Sequence, residues 1–114
     1  MTMNTYDTLL FKVSDHVATL TLNRPDSRNA LNLQMCRDIV AACERVGADA
    51  DIRVLLIKAA GKVFCAGADL KERQGMSTAD MLARRVEGFT AYAAIEDLAI
   101  PVIAVVQGAA FGSG

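Results

Sequence analysis

The sequence predicts an α/β fold organised around a strand-helix-strand unit, and three stretches carry that expectation. Residues 6–23 hold two Thr-, Val- and Leu-rich segments, YDTLLFKV and VATLTLN, on either side of the polar SDH; this is the pattern of a β-hairpin. Residues 32–49 repeat apolar side chains at helical spacing. IRVLLIKAA follows as a near-continuous apolar run, the mark of a strand covered on both faces. At 114 residues the chain makes one domain at most, spanning 1–114, because domains commonly run roughly 100 to 150 residues.

Each element has a local reason. In the hairpin, His16 falls in the turn, where no neighbouring Ser, Cys or carboxylate is placed to orient it, so it is expected to be solvated. Pro25 ends the second strand, Asp26, Ser27 and Asn29 supply turn chemistry, and Asn32 caps a helix running to about Asp49. Cys36, Ile39, Val40, Cys43 and Val46 mark its buried face. GKVFCAGADLKE then forms a glycine-containing connection. Ser77 with Asp80 caps a second helix to about Leu98, in which Met81, Leu82, Arg85, Val86, Phe89, Tyr92 and Ala93 trace a mostly apolar stripe, the face such a helix turns to a core. Gly88 weakens this helix slightly, and Pro101 sets an extended entry to the last strand, IPVIAVVQ.

Composition removes several function classes. Twelve Lys+Arg against thirteen Asp+Glu give a net charge of -1, with no block of like charge beyond Arg84 and Arg85, so no nucleic-acid footprint is expected. No apolar run approaches the roughly 20 residues that span a bilayer, and a soluble protein is expected. The N-terminus lacks a basic segment followed by an apolar one, which makes the cytoplasm the expected location. Cys36 and Cys43 would lie roughly 10 Å apart along a helix, too far to bridge, so the cysteines are expected to be reduced core thiols. With one histidine and no CxxC, no metal site is expected.

Both apolar runs, RVLLIKA and PVIAVVQ, end in Gly- and Ala-rich turns, FCAGADL and GAAFGSG. Parallel strands bring such turns to one sheet edge, where ligands of open α/β folds bind. Small uncharged residues leave backbone N–H groups as the chief donors, and two of them converging on one oxygen make an oxyanion hole. Plain tight turns are the alternative reading of the same glycines. A phosphate cradle is disfavoured, since GAAFGSG lacks both the Lys-Ser/Thr ending and the G-x-G-x-x-G spacing.

NRPDSRNALN, FCAGADLKE and IPVIAVVQGAAFGSG, in this order and at these intervals, resemble the enoyl-CoA hydratase/isomerase (crotonase) family over essentially the whole chain. The resemblance implies a spiral of ββα units with two roughly perpendicular sheets, an acyl-CoA thioester as substrate, no separate cofactor since coenzyme A is part of that substrate, and a homotrimer or hexamer in the full-length form. It implies that the N–H groups of Ala68 and Ser113 grip the thioester oxygen, Ser113 standing where the family usually has a glycine beside Gly112. It implies that Ala30, Ala66, Gly67, Asp69, Leu70, Lys71 and Gly112 contact the substrate, with Arg24 or Arg28 neutralising phosphates. A hydratase adding water to a 2-enoyl-CoA is the leading expectation. An isomerase, hydrolase or decarboxylase of the same family, or a noncatalytic CoA-binding or subunit-interaction module, are the alternatives. The two glutamates that serve hydratases of the family as acid and base would fall beyond Gly114, so the chain is expected to be an N-terminal portion; Glu72, Glu87, Glu96 and Asp97 are expected on helix surfaces.

Overall fold

The computed structural model describes the backbone of residues 2–114 and the side chains from Tyr6 onward. One five-stranded sheet, β1 (Thr2–Thr5), β2 (Leu9–Ser14), β3 (Val17–Leu22), β4 (Val54–Ala59) and β5 (Val102–Ala104), has its strands in chain order. β1, β2 and β3 pair antiparallel, whereas β3, β4 and β5 pair parallel. β1 was not anticipated, because TMNT carries little apolar alternation. The hairpin closes through Asp15 and His16, both at positive φ (53° and 66°); that double left-handed turn matches the twist of the flanking strands. His16 stays exposed and its Nδ1 donates to Asp51 O at 2.8 Å.

Period-two alternation sends Leu9 and Phe11 of β2, Ala18, Leu20 and Leu22 of β3, and Leu55 and Ile57 of β4 to one buried face. Parallel β3 and β4 are joined by α1 (Leu33–Ala48), whose Asn32 cap accepts from Met35 N–H at 2.9 Å. Cys36, Ile39, Cys43 and Val46 bury its inner face as the spacing predicts, Met35 and Ala42 join them, and Val40 is half-buried. β4 differs from expectation, since Val54 and Leu56 are half-buried and Lys58 is exposed, so only one face is fully covered.

α3 (Thr78–Glu96) begins at the expected cap, with Ser77 Oγ accepting from Asp80 N–H at 3.1 Å. Its orientation corrects the apolar-stripe reading. Arg84, Gly88 and Ala91 face inward, while Leu82, Val86 and Phe89 are 55%, 64% and 61% exposed. The small residues let α3 sit close to α1, and Arg84 enters because polar partners await it. Sequence periodicity identifies an apolar stripe without saying what covers it.

Candidate functional site: a backbone-lined crevice between two loops

The loop after β3 folds back on itself. A short 3₁₀ turn at Pro25–Ser27 leads to Arg28 and Asn29, both at φ 54°. Asn29 is fully buried; its Oδ1 accepts from Arg24 N–H at 2.8 Å and its Nδ2 donates to Ala60 O at 2.8 Å and Val63 O at 2.9 Å. One amide thus ties the loop after β3 to the loop after β4. Turn chemistry alone did not disclose that role.

Beyond the sheet the chain pairs twice more. Leu31 N–H donates to Gly67 O at 2.8 Å and Asp69 N–H to Leu31 O at 3.0 Å, an isolated parallel bridge opposite Ala68. Such pairing uses the groups flanking Ala68 and turns its own N–H to the other side. Cys65 forms the matching bridge with Ala110, its N–H donating to Ala109 O at 3.3 Å and its carbonyl accepting from Phe111 N–H at 3.0 Å. Gly114 N–H then donates to Phe111 O at 2.7 Å, closing a turn with Gly112 at φ 54°. Ser113 lies outside the positive-φ set, so its Cβ is accommodated. Among the hydrogen bonds of the described residues, neither Ala68 N–H nor Ser113 N–H is a donor. Gly67, at φ 88°, is required here: a Cβ would sit 2.7 Å from Phe111 O, and Ser113 N is 3.5 Å from the same point.

Two cavities meet at Ala68. The larger, about 570 Å³, gathers Arg24, Arg28, Ala30, Ala66, Ala68, Asp69, Leu70 and Lys71. The smaller, about 220 Å³, is lined by both Ala68 and Ser113 and by residues of α3. Gly67 and Gly112 line neither and instead shape the turns. Asp69 Oδ1 accepts from Lys71 N–H (3.0 Å) and Glu72 N–H (3.2 Å), capping the single-turn α2 (Leu70–Arg73), while Oδ2 pairs with Arg24 at 3.1 Å. Arg24 also donates to Ala30 O at 2.5 Å. Both residues are therefore committed to one another, and the cations left facing the larger cavity are Arg28 and Lys71.

The comparisons with known proteins bear on the family and the fold. The family model described as enoyl-CoA hydratase/isomerase matches residues 12–114. The chain belongs to the enoyl-CoA hydratase/isomerase family. It is 40% identical over 116 aligned positions to a Mycobacterium tuberculosis protein named probable enoyl-CoA hydratase EchA14, covering 98% of this chain and 44% of that one. The crystal structure of an enoyl-CoA hydratase from Mycobacterium smegmatis superposes with a TM-score of 0.83 at 38% identity, over 87% of this chain and 39% of that one. The corresponding Bacillus anthracis enzyme gives 0.86 at 32% identity, over 90% and 40%. The chain thus spans less than half the length of these relatives, and its fold is the matching part of the crotonase fold.

In this member of the hydratase/isomerase family the carboxylates take structural positions. Glu72 is no simple surface residue: both its oxygens accept from Leu33 N–H at 3.0 Å, and Oε1 accepts from Arg84 Nε at 2.9 Å. Arg84 Nη2 also donates to Leu31 O. Glu87 pairs with Arg37 at 3.0 Å on the outside of the α1–α3 contact. The three cysteines are buried and free; burial raises all three thiols, Cys43 to about 11. Among the described residues no group of three or more His, Cys, Asp or Glu is arranged to hold a metal ion, and no helix is long and apolar enough to cross a membrane.

Proposed function

We propose that these residues form the thioester-binding half of an acyl-CoA enzyme, most specifically a hydratase that adds water to a 2-enoyl-CoA. The observation that carries this reading is that Ala68 and Ser113, from two different loops, line the same cavity and that neither N–H donates a hydrogen bond among the described residues. A thioester carbonyl oxygen received by both is polarised in the ground state. As water adds to the β-carbon, negative charge moves onto that oxygen as an enolate, and the two fixed dipoles stabilise it without reorganising. The hydratase names of the relatives support water addition over the other reactions of the family.

The larger cavity takes the CoA portion. Arg28 and Lys71 meet its phosphates, as guanidinium and ammonium groups do. Leu70, 69% exposed at its wall, offers an apolar surface to the ligand. Arg24 and Asp69 act by holding the wall in place, not by touching the phosphates.

Replacing Ala68 by Pro deletes a single unused donor and none of the bonds that pair the loop. In the enzyme containing these residues, that variant should hydrate crotonyl-CoA about a hundred to a thousand times more slowly, with circular dichroism unchanged. A folded Ala68→Pro protein with undiminished kcat would overturn the proposal.

A further inference from the structure

The Ala68 N–H stands at one end of a hydrogen-bonded row that begins at a guanidinium. It shares its peptide group with Gly67 O, and in a trans peptide the N–H and C=O point in opposite directions. Gly67 O accepts from Leu31 N–H at 2.8 Å. The Leu31 N–H shares its own peptide group with Ala30 O, and that oxygen accepts from Arg24 Nη1 at 2.5 Å. Two peptide dipoles therefore lie head to tail between Arg24 and Ala68. Hydrogen bonds in such a row polarise one another, by roughly 10–30% per bond, and a cation at the carbonyl end makes the far N–H a stronger donor.

The adjoining peptide provides a contrast. Leu31 O accepts from Asp69 N–H at 3.0 Å and from Arg84 Nη2, but it belongs to the Leu31–Asn32 peptide and lies outside the row. Arg84 thus holds Leu31 in place without polarising the Ala68 N–H. The Arg24 side chain is only 21% exposed, so solvent screens its charge less than that of a surface cation. Asp69 Oδ2, 3.1 Å from the same Nη1, offsets part of that charge and keeps the guanidinium on Ala30 O. Every contact of the row is made among residues 24–69.

We infer that Arg24 is a positioning residue for thioester activation: through the Ala30–Leu31 and Gly67–Ala68 peptides it aims and strengthens the Ala68 N–H, without touching the substrate. This rests on the reading of Ala68 as a donor to the thioester oxygen. Such a donor is worth about a hundred- to a thousandfold in rate. Weakened by about a tenth to three-tenths, it gives up about two- to eightfold.

The enzyme containing these residues is compared with its Arg24→Met variant, whose side chain has no N–H for Ala30 O. Butanoyl-CoA, isotopically labelled at the thioester carbonyl, is bound to each, and infrared difference spectra read the carbonyl stretch. The parent should move that stretch to lower frequency than in free butanoyl-CoA, and Arg24→Met should move it less, with kcat toward crotonyl-CoA lower by about two- to eightfold. Because Arg24→Met leaves the Asp69 carboxylate unpaired, an Arg24→Met/Asp69→Asn protein is also read against Asp69→Asn, and the same smaller shift is expected; if the single variant does not fold, this pair decides. An equal shift with and without Arg24 would overturn the inference and leave the donor reading of Ala68 intact. Weaker CoA binding with an unchanged stretch would assign Arg24 to the cavity wall alone and likewise overturn it. A parent that binds butanoyl-CoA with no shift at all would sink the donor reading itself.

Discussion

The Arg24 guanidinium and the Asp69 carboxylate, 45 positions apart in the chain, meet at 3.1 Å and join the loop after β3 to the start of α2. Burial pushes the Asp69 carboxyl up, but the Glu72 N–H, the Arg24 guanidinium and the Lys71 N–H outweigh it and hold the group below its ordinary value. A folded pKa below the unfolded one means a contribution that is complete above about pH 4, the unfolded value, and lost as pH falls through the lower folded value. Asp69→Ala should lower stability by about 1–2 kcal/mol at pH 7. Urea midpoints recorded from pH 7 down to pH 2 should show the gap to the parent closing at the acid end; a constant gap would contradict the assignment.

Asn29 spends three hydrogen bonds in a fully buried position at φ 54°. Asn29→Ala leaves one N–H and two carbonyls without those partners and keeps the strained backbone, and should cost about 2–4 kcal/mol. Denaturant unfolding measures this directly. A loss under about 0.5 kcal/mol, the range of ordinary surface changes, would show that water takes over the amide's role.

Gly67→Ala adds a Cβ at 2.7 Å from Phe111 O in a left-handed backbone. The turn carrying Ser113 has to move away from Ala68. On the proposed reading this displaces a donor, so in the enzyme containing these residues kcat/KM toward a 2-enoyl-CoA should fall by about a hundredfold, and a rate within twofold of the parent would show that the two loops do not cooperate.

Gly47 lies in the last turn of α1, exposed, where a Cβ would meet Leu98 Cδ2 at an ordinary 3.9 Å. Here glycine contributes only flexibility to the unfolded chain. Gly47→Ala should stabilise the protein by about 0.5–1 kcal/mol, read as a higher melting temperature, and a lower one would point to an unseen backbone requirement.

Cys36, Cys43 and Cys65 are buried with raised thiol pKa values. The thiolate is the reactive form, so at pH 8 a disulfide reagent should titrate no thiol in the native protein and all three in urea. Rapid native labelling would place at least one of them in contact with solvent.

Much of this architecture was legible in the sequence because its causes are local. A cap needs Asn32 or Ser77 and the N–H three residues on; a hairpin needs alternation and a polar turn; a close loop approach needs Gly67. Of the residues named through the family resemblance, Arg24, Arg28, Ala30, Ala66, Asp69, Leu70 and Lys71 lie along the larger cavity, whereas Gly67 and Gly112 do not. What only the tertiary structure decided are the relationships whose partners lie far apart: Glu72 with Leu33 and Arg84, Arg24 with Asp69, Asn29 with Ala60 and Val63. The same applies to α3, whose apolar stripe of Leu82, Val86 and Phe89 points outward while Arg84, Gly88 and Ala91 point in. A charged side chain enters a protein interior only if its partners are already positioned there, and that condition is met by the folded chain, not by any stretch of it.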